Sequence, residues 1–250
     1  MIDELIDCDV AIDPSSMDQQ RNAYAPWVWG GITSFWFASV LAFAVWMTAY
    51  GLKVDSTNLA DGLTQWPANS RLAHADDTPT LVLFLHPKCP CSWATVRELN
   101  KILDRHAASS LRRIKTLVVA SVPGDSESQW AASPLCKRAK EVSENAELMV
   151  DIDGHESDRF GVKTSGTVLL FDEQGELHFS GGITVSRGHE GNSIGGELLS
   201  ERLAAISIHS DGVIARDFAI SPPVFGCKLC LPPSTDITNC SVGLRDGAAP

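Results

Sequence analysis

The sequence predicts an α/β domain, a central mixed sheet flanked by helices, preceded by one membrane-spanning helix. Three observations carry this. A 31-residue stretch from Asn22 to Leu52 contains no charged residue. Short continuous apolar runs alternate with segments of helical periodicity from Thr78 onward. Finally, 250 residues with seven cysteines suit one compact domain with appendages better than a disulfide scaffold.

The uncharged stretch has an apolar centre, ITSFWFASVLAFAVWMTAYGL (Ile32 to Leu52), that reaches the roughly 20 residues needed to cross a bilayer core of about 30 Å. Trp27 and Trp29 precede it, Trp46 and Tyr50 close it, and Lys53 marks the exit, so amphipathic rings fall at both interfaces. Residues 1–26 form an acidic tail in which Asp3, Glu4, Asp7, Asp9, Asp13 and Asp18 face only Arg21, unlike the basic start of a signal peptide. Residues 27–52 are the expected span. Residues 53–77, with Asp, Ser, Thr, Asn, Gly and Pro and no clear period, read as a tether. Arg21 and Lys53 nearly balance, so charge does not orient the span. Cysteine usage places the bulk of the chain in an oxidising space.

The domain is expected over 78–208. Thr80 to His86 (TLVLFLH), bounded by Pro79 and Pro87, suits a strand buried on both faces. From Ser92, Val96, Leu99, Leu103 and Ala107 recur at helical spacing, with Arg97, Glu98, Lys101 and Arg105 as the solvated face. Ile114 to Val122 reads as a strand, and Leu135, Ala139 and Val142 as a helix after a Pro- and Gly-bearing loop. Leu148 to Ile152 is a short strand and Asp158 to Val162 one helical turn. Thr167 to Phe171 and Glu176 to Ser180 flank an Asp172-to-Gly175 turn and pair antiparallel. A last helix runs from Ile194 to about Ile208, with Leu199, Leu203 and Ile206 on one face. Residues 209–250 are a cysteine-containing extension.

The chemistry concentrates in His86-Pro87-Lys88-Cys89-Pro90-Cys91-Ser92, where a strand meets a helix. Cysteine at a helix N-terminus faces unpaired N–H groups and the positive end of the dipole, which favour the thiolate, the attacking species in disulfide exchange. Cys89 is the expected nucleophile and Cys91 the resolving cysteine, although the two roles could be exchanged. Lys88 and His86 are expected to tune the thiolate, and Pro90 separates the pair.

With these residues the chain resembles the thioredoxin superfamily over about Thr78 to Ile208. FLHPKCPCS stands where that family has its redox motif, and FGVKTSGTVLLFDEQGEL leads into its terminal hairpin. Among its members the chain is most similar to membrane-anchored bacterial proteins of the ResA/TlpA kind. The CPC motif, the GGIT and RGHEG segment and the later VFGC point further to those of RedB type. The resemblance implies a thiol-disulfide oxidoreductase, single-pass in the bacterial cytoplasmic membrane and facing the periplasm or exterior. Protein thiols and disulfides or a membrane electron donor are its implied partners, with no cofactor. It also implies that Ser165, Gly166 and Thr167 shape the substrate edge facing the redox pair.

Two departures stand out. Cys89 and Cys91 have one residue between them, where the family has Cys-x-x-Cys. If both lay in helical geometry their Cα atoms would be about 5 to 6 Å apart with diverging side chains, straining a disulfide and making the couple more oxidising. Gly166 stands where the family has a cis-proline that hinders metal capture. An alternative is therefore copper or zinc binding through Cys89, Cys91 and His189, with His86 and His155 as further candidate donors. A redox-inactive binding module is a second alternative.

Cys227 and Cys230 form a Cys-x-x-Cys read as a second redox pair, half a metal site or a structural clasp, with Cys240 nearby. Cys136 reads as a buried small hydrophobe and Cys8 as a bystander. Net charge −11 without a basic cluster argues against nucleic acid as a partner. There is no G-x-x-x-x-G-K-S/T, G-x-S-x-G or H-E-x-x-H, which leaves nucleotide hydrolysis, esterase and metalloprotease activities without support. Gly181-Gly182 and Gly195-Gly196 read as turn residues.

Overall fold

A computed structural model describes residues 14–52, 63–109, 114–124, 127–208 and 221–230. The chain divides into two units, Met1–Gly51 and Leu52–Pro250. The first contains helix α1 (Pro14–Gly51), whose section Trp27–Gly51 has mean hydropathy 1.7 and buries nothing. It is long and apolar enough to cross a membrane. Its Trp, Phe and Leu side chains lie exposed. The helix starts earlier than expected, since α1 runs back into the segment read as an acidic tail.

The second unit is built on five strands, β1 (Thr80–Leu85), β2 (Lys115–Val122), β3 (Ala146–Ile152), β4 (Thr167–Phe171) and β5 (Leu177–Gly181). Their order across the sheet is β3-β2-β1-β4-β5. β1, β2 and β3 are parallel, while β4 pairs antiparallel with both β1 and β5. The helices are α2 (Ser92–Ser109), α3 (Glu127–Ala131), α4 (Pro134–Lys140), α5 (His155–Arg159) and α6 (Ile194–Ile208). This is the thioredoxin-like arrangement, a mixed sheet flanked by helices.

The continuous apolar runs follow from burial on both faces. Leu81, Leu83 and Leu85 of β1 point to one side with Val118, Ala120, Val168 and Leu170. They meet Val96, Leu99, Ile102 and Leu103 of α2, Leu135 and Cys136 of α4, and Leu199, Leu203 and Ile206 of α6. Val82 and Phe84 point to the other side with Leu117, Val119, Leu169 and Phe171. That second face is covered by Phe160 and Val162, which follow α5, and by two segments expected to lie outside the domain.

One of these segments corrects the tether. Residues 63–77 pack on the sheet. Trp66 N–H donates to the Gly175 carbonyl at 2.7 Å and Leu177 N–H to the Thr64 carbonyl at 2.9 Å, so the segment joins the β4–β5 turn. Trp66 lies 4.9 Å from Phe171 and 5.2 Å from Phe160 between ring centroids, and Leu72 is buried. Ser70 and the Arg71 backbone further bind the buried Glu156 carboxylate. The other is residues 221–230 of the presumed extension, in which Val224, Phe225, Leu229 and Cys230 are all buried. Two smaller differences concern α3, which interrupts a segment read as loop, and Glu98. The latter is buried and bonded to Lys101 and the Gly191 N–H, not part of a solvated face.

Candidate functional site: a three-thiol corner

β1 ends at Leu85 and α2 begins at Ser92, leaving His86 to Cys91 to turn the chain. Cys89 N–H donates to the His86 carbonyl at 2.9 Å and Ser92 N–H to the Cys89 carbonyl at 3.3 Å. Neither Cys89 nor Cys91 is therefore in the helix, and the condition under which their side chains would diverge is not met. Their thiols instead shift each other's pKa in opposite directions, Cys89 down and Cys91 up.

The residues named from sequence are placed as follows. Cys89 is buried, with 1% of its surface exposed, and Cys91 is half-buried. His86 is buried, its ring 5.0 Å from Trp130, and its Nδ1 accepts the Lys88 N–H. Burial is the main force lowering the His86 pKa, against the charge on Cys89, so its imidazole stays neutral at pH 7. Lys88 extends its Nζ over the Trp130 ring, 4.2 Å from the centroid. Pro90 is exposed. Ser165 ties the corner together: its Oγ receives the His86 N–H at 2.7 Å and lies 2.6 Å from Ser92 Oγ. Gly166 has φ +93° in a trans peptide and donates its N–H to the Phe84 carbonyl at 2.8 Å. A Cβ there would stand 2.9 Å from Thr95 Oγ1, so the position needs glycine for both backbone angle and space. Thr167 Oγ1 donates to the Thr164 carbonyl.

Cys227 also belongs to this corner, and its separation from Cys230 is a correction. Cys227 carries a free thiol while Cys230 is disulfide-bonded, so the two are not joined to each other. Ser165 N–H donates to the Cys227 carbonyl at 2.8 Å, Thr164 and Lys228 form an antiparallel bridge, and Leu229 N–H donates to the Lys163 carbonyl at 2.9 Å. The segment thereby adds a short strand to the edge preceding β4. Gly226 fits only because it lacks a side chain, since a Cβ would stand 1.8 Å from the Ser165 carbonyl oxygen. Gly182, read as a turn residue, serves the same close approach farther along. Its N–H donates to the Pro222 carbonyl, and a Cβ would meet the Pro223 carbonyl at 2.3 Å.

The electrostatics follow from this packing. The Cys89 thiol is pushed far below its usual range, first by the hydrogen bond from the Cys227 thiol, then by that from Cys91. Ser92 and the Cys227 backbone add to this and together overcome burial. Lys88 and His86 are not the leading causes. Cys91 and Cys227 move the other way, each held as a protonated thiol chiefly by its bond to Cys89. One thiolate thus sits between two thiols.

Arg187 is the residue the sequence reasoning missed. Its guanidinium hydrogen-bonds Cys91, and its Nη1 donates to the Gly226 carbonyl at 2.9 Å. The loop that carries it is fastened to α2 by Glu190, which pairs with Arg97 and Lys101 at 2.8 Å each. The RGHEG segment was the available signal, and within it His189 drew attention for its metal-binding chemistry. His189 is exposed, its Nδ1–H bonded to the Arg187 carbonyl at 2.8 Å. His155 opens α5 and is exposed.

Among the described residues, the one group of three ligand-type side chains with donor atoms within 4.8 Å of one another is Asp172, Glu176 and His178, at the β4–β5 turn. Cys89, Cys91 and His189 do not converge in this way, nor do the three sulfurs as a set. Cys136 lies on the buried face of α4, its thiol pushed up by burial. Cys8 and Cys240 lie outside the described residues.

No protein-family profile and no curated protein matches the chain. Solved structures do share its course. A hypothetical protein of Sinorhizobium meliloti 1021 is 15% identical, with TM-score 0.49, over 73% of this chain and 99% of that one. A secreted disulfide oxidoreductase of Mycobacterium tuberculosis, homologous to the Escherichia coli protein DsbE, is 16% identical over 51% of this chain and 81% of that one, with TM-score 0.33. StoA of Bacillus subtilis is 21% identical over 50% and 81%, with TM-score 0.35. At these identities the likeness concerns chain course alone. The fold of the second unit is thioredoxin-like by its own strand order and helix placement, with no closer family assigned.

Proposed function

We propose that the chain is a membrane-anchored thiol-disulfide oxidoreductase acting on protein thiols or disulfides, with Cys89 as nucleophile and Cys91 as resolving thiol. One observation carries this reading: two free cysteines, Cys89 buried and Cys91 half-buried, stand together at the strand-to-helix corner, and their pKa values are pushed apart, Cys89 down and Cys91 up. A thiolate attacks a substrate disulfide, and Cys91 then displaces the substrate from the mixed disulfide and leaves Cys89 bonded to Cys91. Run backward, the same steps oxidise a substrate. The geometry serves both directions.

The disulfide at Cys230 supports a domain on the oxidising side of a bacterial cytoplasmic membrane, with α1 as anchor. A membrane electron donor is the corresponding expectation for recycling. Copper or zinc held by Cys89 and Cys91 is the alternative. A redox-inactive module is opposed by the poised thiolate, which a scaffold has no need to maintain.

The test uses the full-length chain in detergent micelles, because Trp66 and Leu72 belong to the domain. Equilibration in glutathione buffers should give a reversible two-electron couple, and Cys89→Ser should reduce turnover of a model protein disulfide by at least about a thousandfold. Absence of any reversible disulfide at Cys89, together with tight Cu(I) or Zn binding lost in Cys89→Ser, would establish the metal reading instead.

A further inference from the structure

We propose that Cys227 is a third redox thiol, carried by a built-in strand that occupies the approach to Cys89 and exchanges with Cys91 as its disulfide partner. This deepens the oxidoreductase reading and rests on it. The argument begins with the backbone. Residues 227–229 pair with 163–165 by main-chain bonds, the way an extended peptide adds to an exposed sheet edge. The pairing is made at Ser165, whose Oγ accepts the His86 N–H and lies 2.6 Å from Ser92 Oγ, so Cys227 is brought to the corner that holds Cys89, and Cys89 and Cys227 shift each other's pKa in opposite directions. A protein substrate presenting a cysteine to Cys89 would need the same approach.

Several independent contacts hold the segment. Gly182 takes Pro222, Arg187 takes the Gly226 carbonyl, and Ser121 Oγ donates to the Cys230 carbonyl at 2.9 Å. Gly226 is shaped to the Ser165 carbonyl. Cys89 is buried beneath this arrangement, although a nucleophile that meets protein substrates must be reached from outside. Access for a substrate therefore requires the segment to leave. Its closed form is the resting state.

Cys89 has two partners at the corner, Cys91 from its own motif and Cys227 from the paired segment, and interacts with both. Starting from the Cys89–Cys91 disulfide, the Cys227 sulfur gives up its proton and attacks Cys89 Sγ. The Cys227–Cys89 bond forms as the Cys89–Cys91 bond breaks, and the electron pair passes to Cys91 Sγ, which takes a proton. Two thiol equivalents of oxidation are conserved, so no outside oxidant or reductant takes part. The result parks the oxidised centre on the strand and frees Cys91, the better exposed of the two motif cysteines.

The experiment maps disulfides in the full-length chain in detergent, oxidised with glutathione disulfide, acid-trapped, alkylated and digested. Wild type should yield both Cys89–Cys91 and Cys89–Cys227 peptides. Cys91→Ser should yield an intramolecular Cys89–Cys227 disulfide, and Cys227→Ser only Cys89–Cys91. If Cys227→Ser forms its disulfide reversibly while Cys91→Ser leaves Cys89 as a glutathione adduct beside a free Cys227, this proposal is overturned and the oxidoreductase reading stands. If Cys227→Ser forms no reversible disulfide either, both fall. Gly226→Ala supplies a second measurement that needs no cysteine substitution: displacing the strand should raise Cys89 alkylation by iodoacetamide about tenfold or more, as for release of a local closed state. An unchanged rate overturns the occluding role.

Discussion

Two segments flank the thioredoxin-like sheet in sequence, 63–77 before it and 221–230 after it, and both pack on it by backbone bonds to the turns and edges around β4. Their chemistry is opposite. The first brings rings and aliphatic groups, with Trp66 against Phe160 and Phe171 and Leu72 beneath, and carries no cysteine of its own. The second ends its course over the redox corner and contributes a cysteine. Addition to a sheet can thus serve either cohesion or reactivity, and side chains at a few register positions decide which.

The largest effect that would break this contrast concerns the first segment. Trp66→Ala removes an edge-on aromatic cluster and should lower the stability of the domain by about 3 kcal/mol, read as a lower urea midpoint. The choice of disulfide partner at Cys89 should not change in the folded protein. A changed partner ratio would mean that the first segment also acts on the corner, and the division of roles would fail.

A smaller effect concerns the second segment. Arg187→Ala removes the donor to the Gly226 carbonyl and the contact with Cys91. A hydrogen bond from a charged group contributes roughly 1.5 kcal/mol, so local release of the strand should become about tenfold easier. Cys89 should alkylate correspondingly faster, while the urea midpoint moves little because the core clusters are untouched. A large fall in global stability with no gain in Cys89 reactivity would show that Arg187 holds the fold and not the strand.

Sequence reasoning reached the sheet because its strands are buried on both faces and so read as unbroken apolar runs. β4 falls on the expected residues, and α6 on the expected helix. The strand-to-helix corner was equally legible, since Pro87 and Pro90 bracket Cys89 where the apolar run stops. The two flanking segments were not. Residues 63–77 bond through single bridges and backbone carbonyls, which leave no period in the sequence, and their anchors Trp66 and Leu72 are isolated apolar residues in a polar stretch. Cys227 was paired with Cys230 because sequence offers only spacing. Its actual neighbour, Cys89, lies 138 positions away and meets it through backbone pairing at Ser165. Gly182 carried a signal, read as a turn when its role was close approach of two backbones, and Gly226 serves the same approach beside Ser165.

The finest distinction between the segments is their dependence on pH. Cys89 has a depressed pKa in the folded, reduced protein, so the folded state binds fewer protons than the unfolded chain below the ordinary thiol range near 8.5, and stability rises with pH there. Cys91 and Cys227 have raised values, so above that range the folded state keeps protons the unfolded chain has lost, and stability falls. The reduced chain should therefore show a stability maximum near the ordinary thiol pKa. Cys227→Ala removes the leading cause of the Cys89 shift along with one raised thiol, and should flatten the profile on both sides. Trp66→Ala should lower the whole curve while keeping its shape. Urea unfolding of the reduced full-length chain across this pH range reads both, and a Cys227→Ala profile parallel to wild type would place the source of the Cys89 thiolate in the strand-to-helix corner alone.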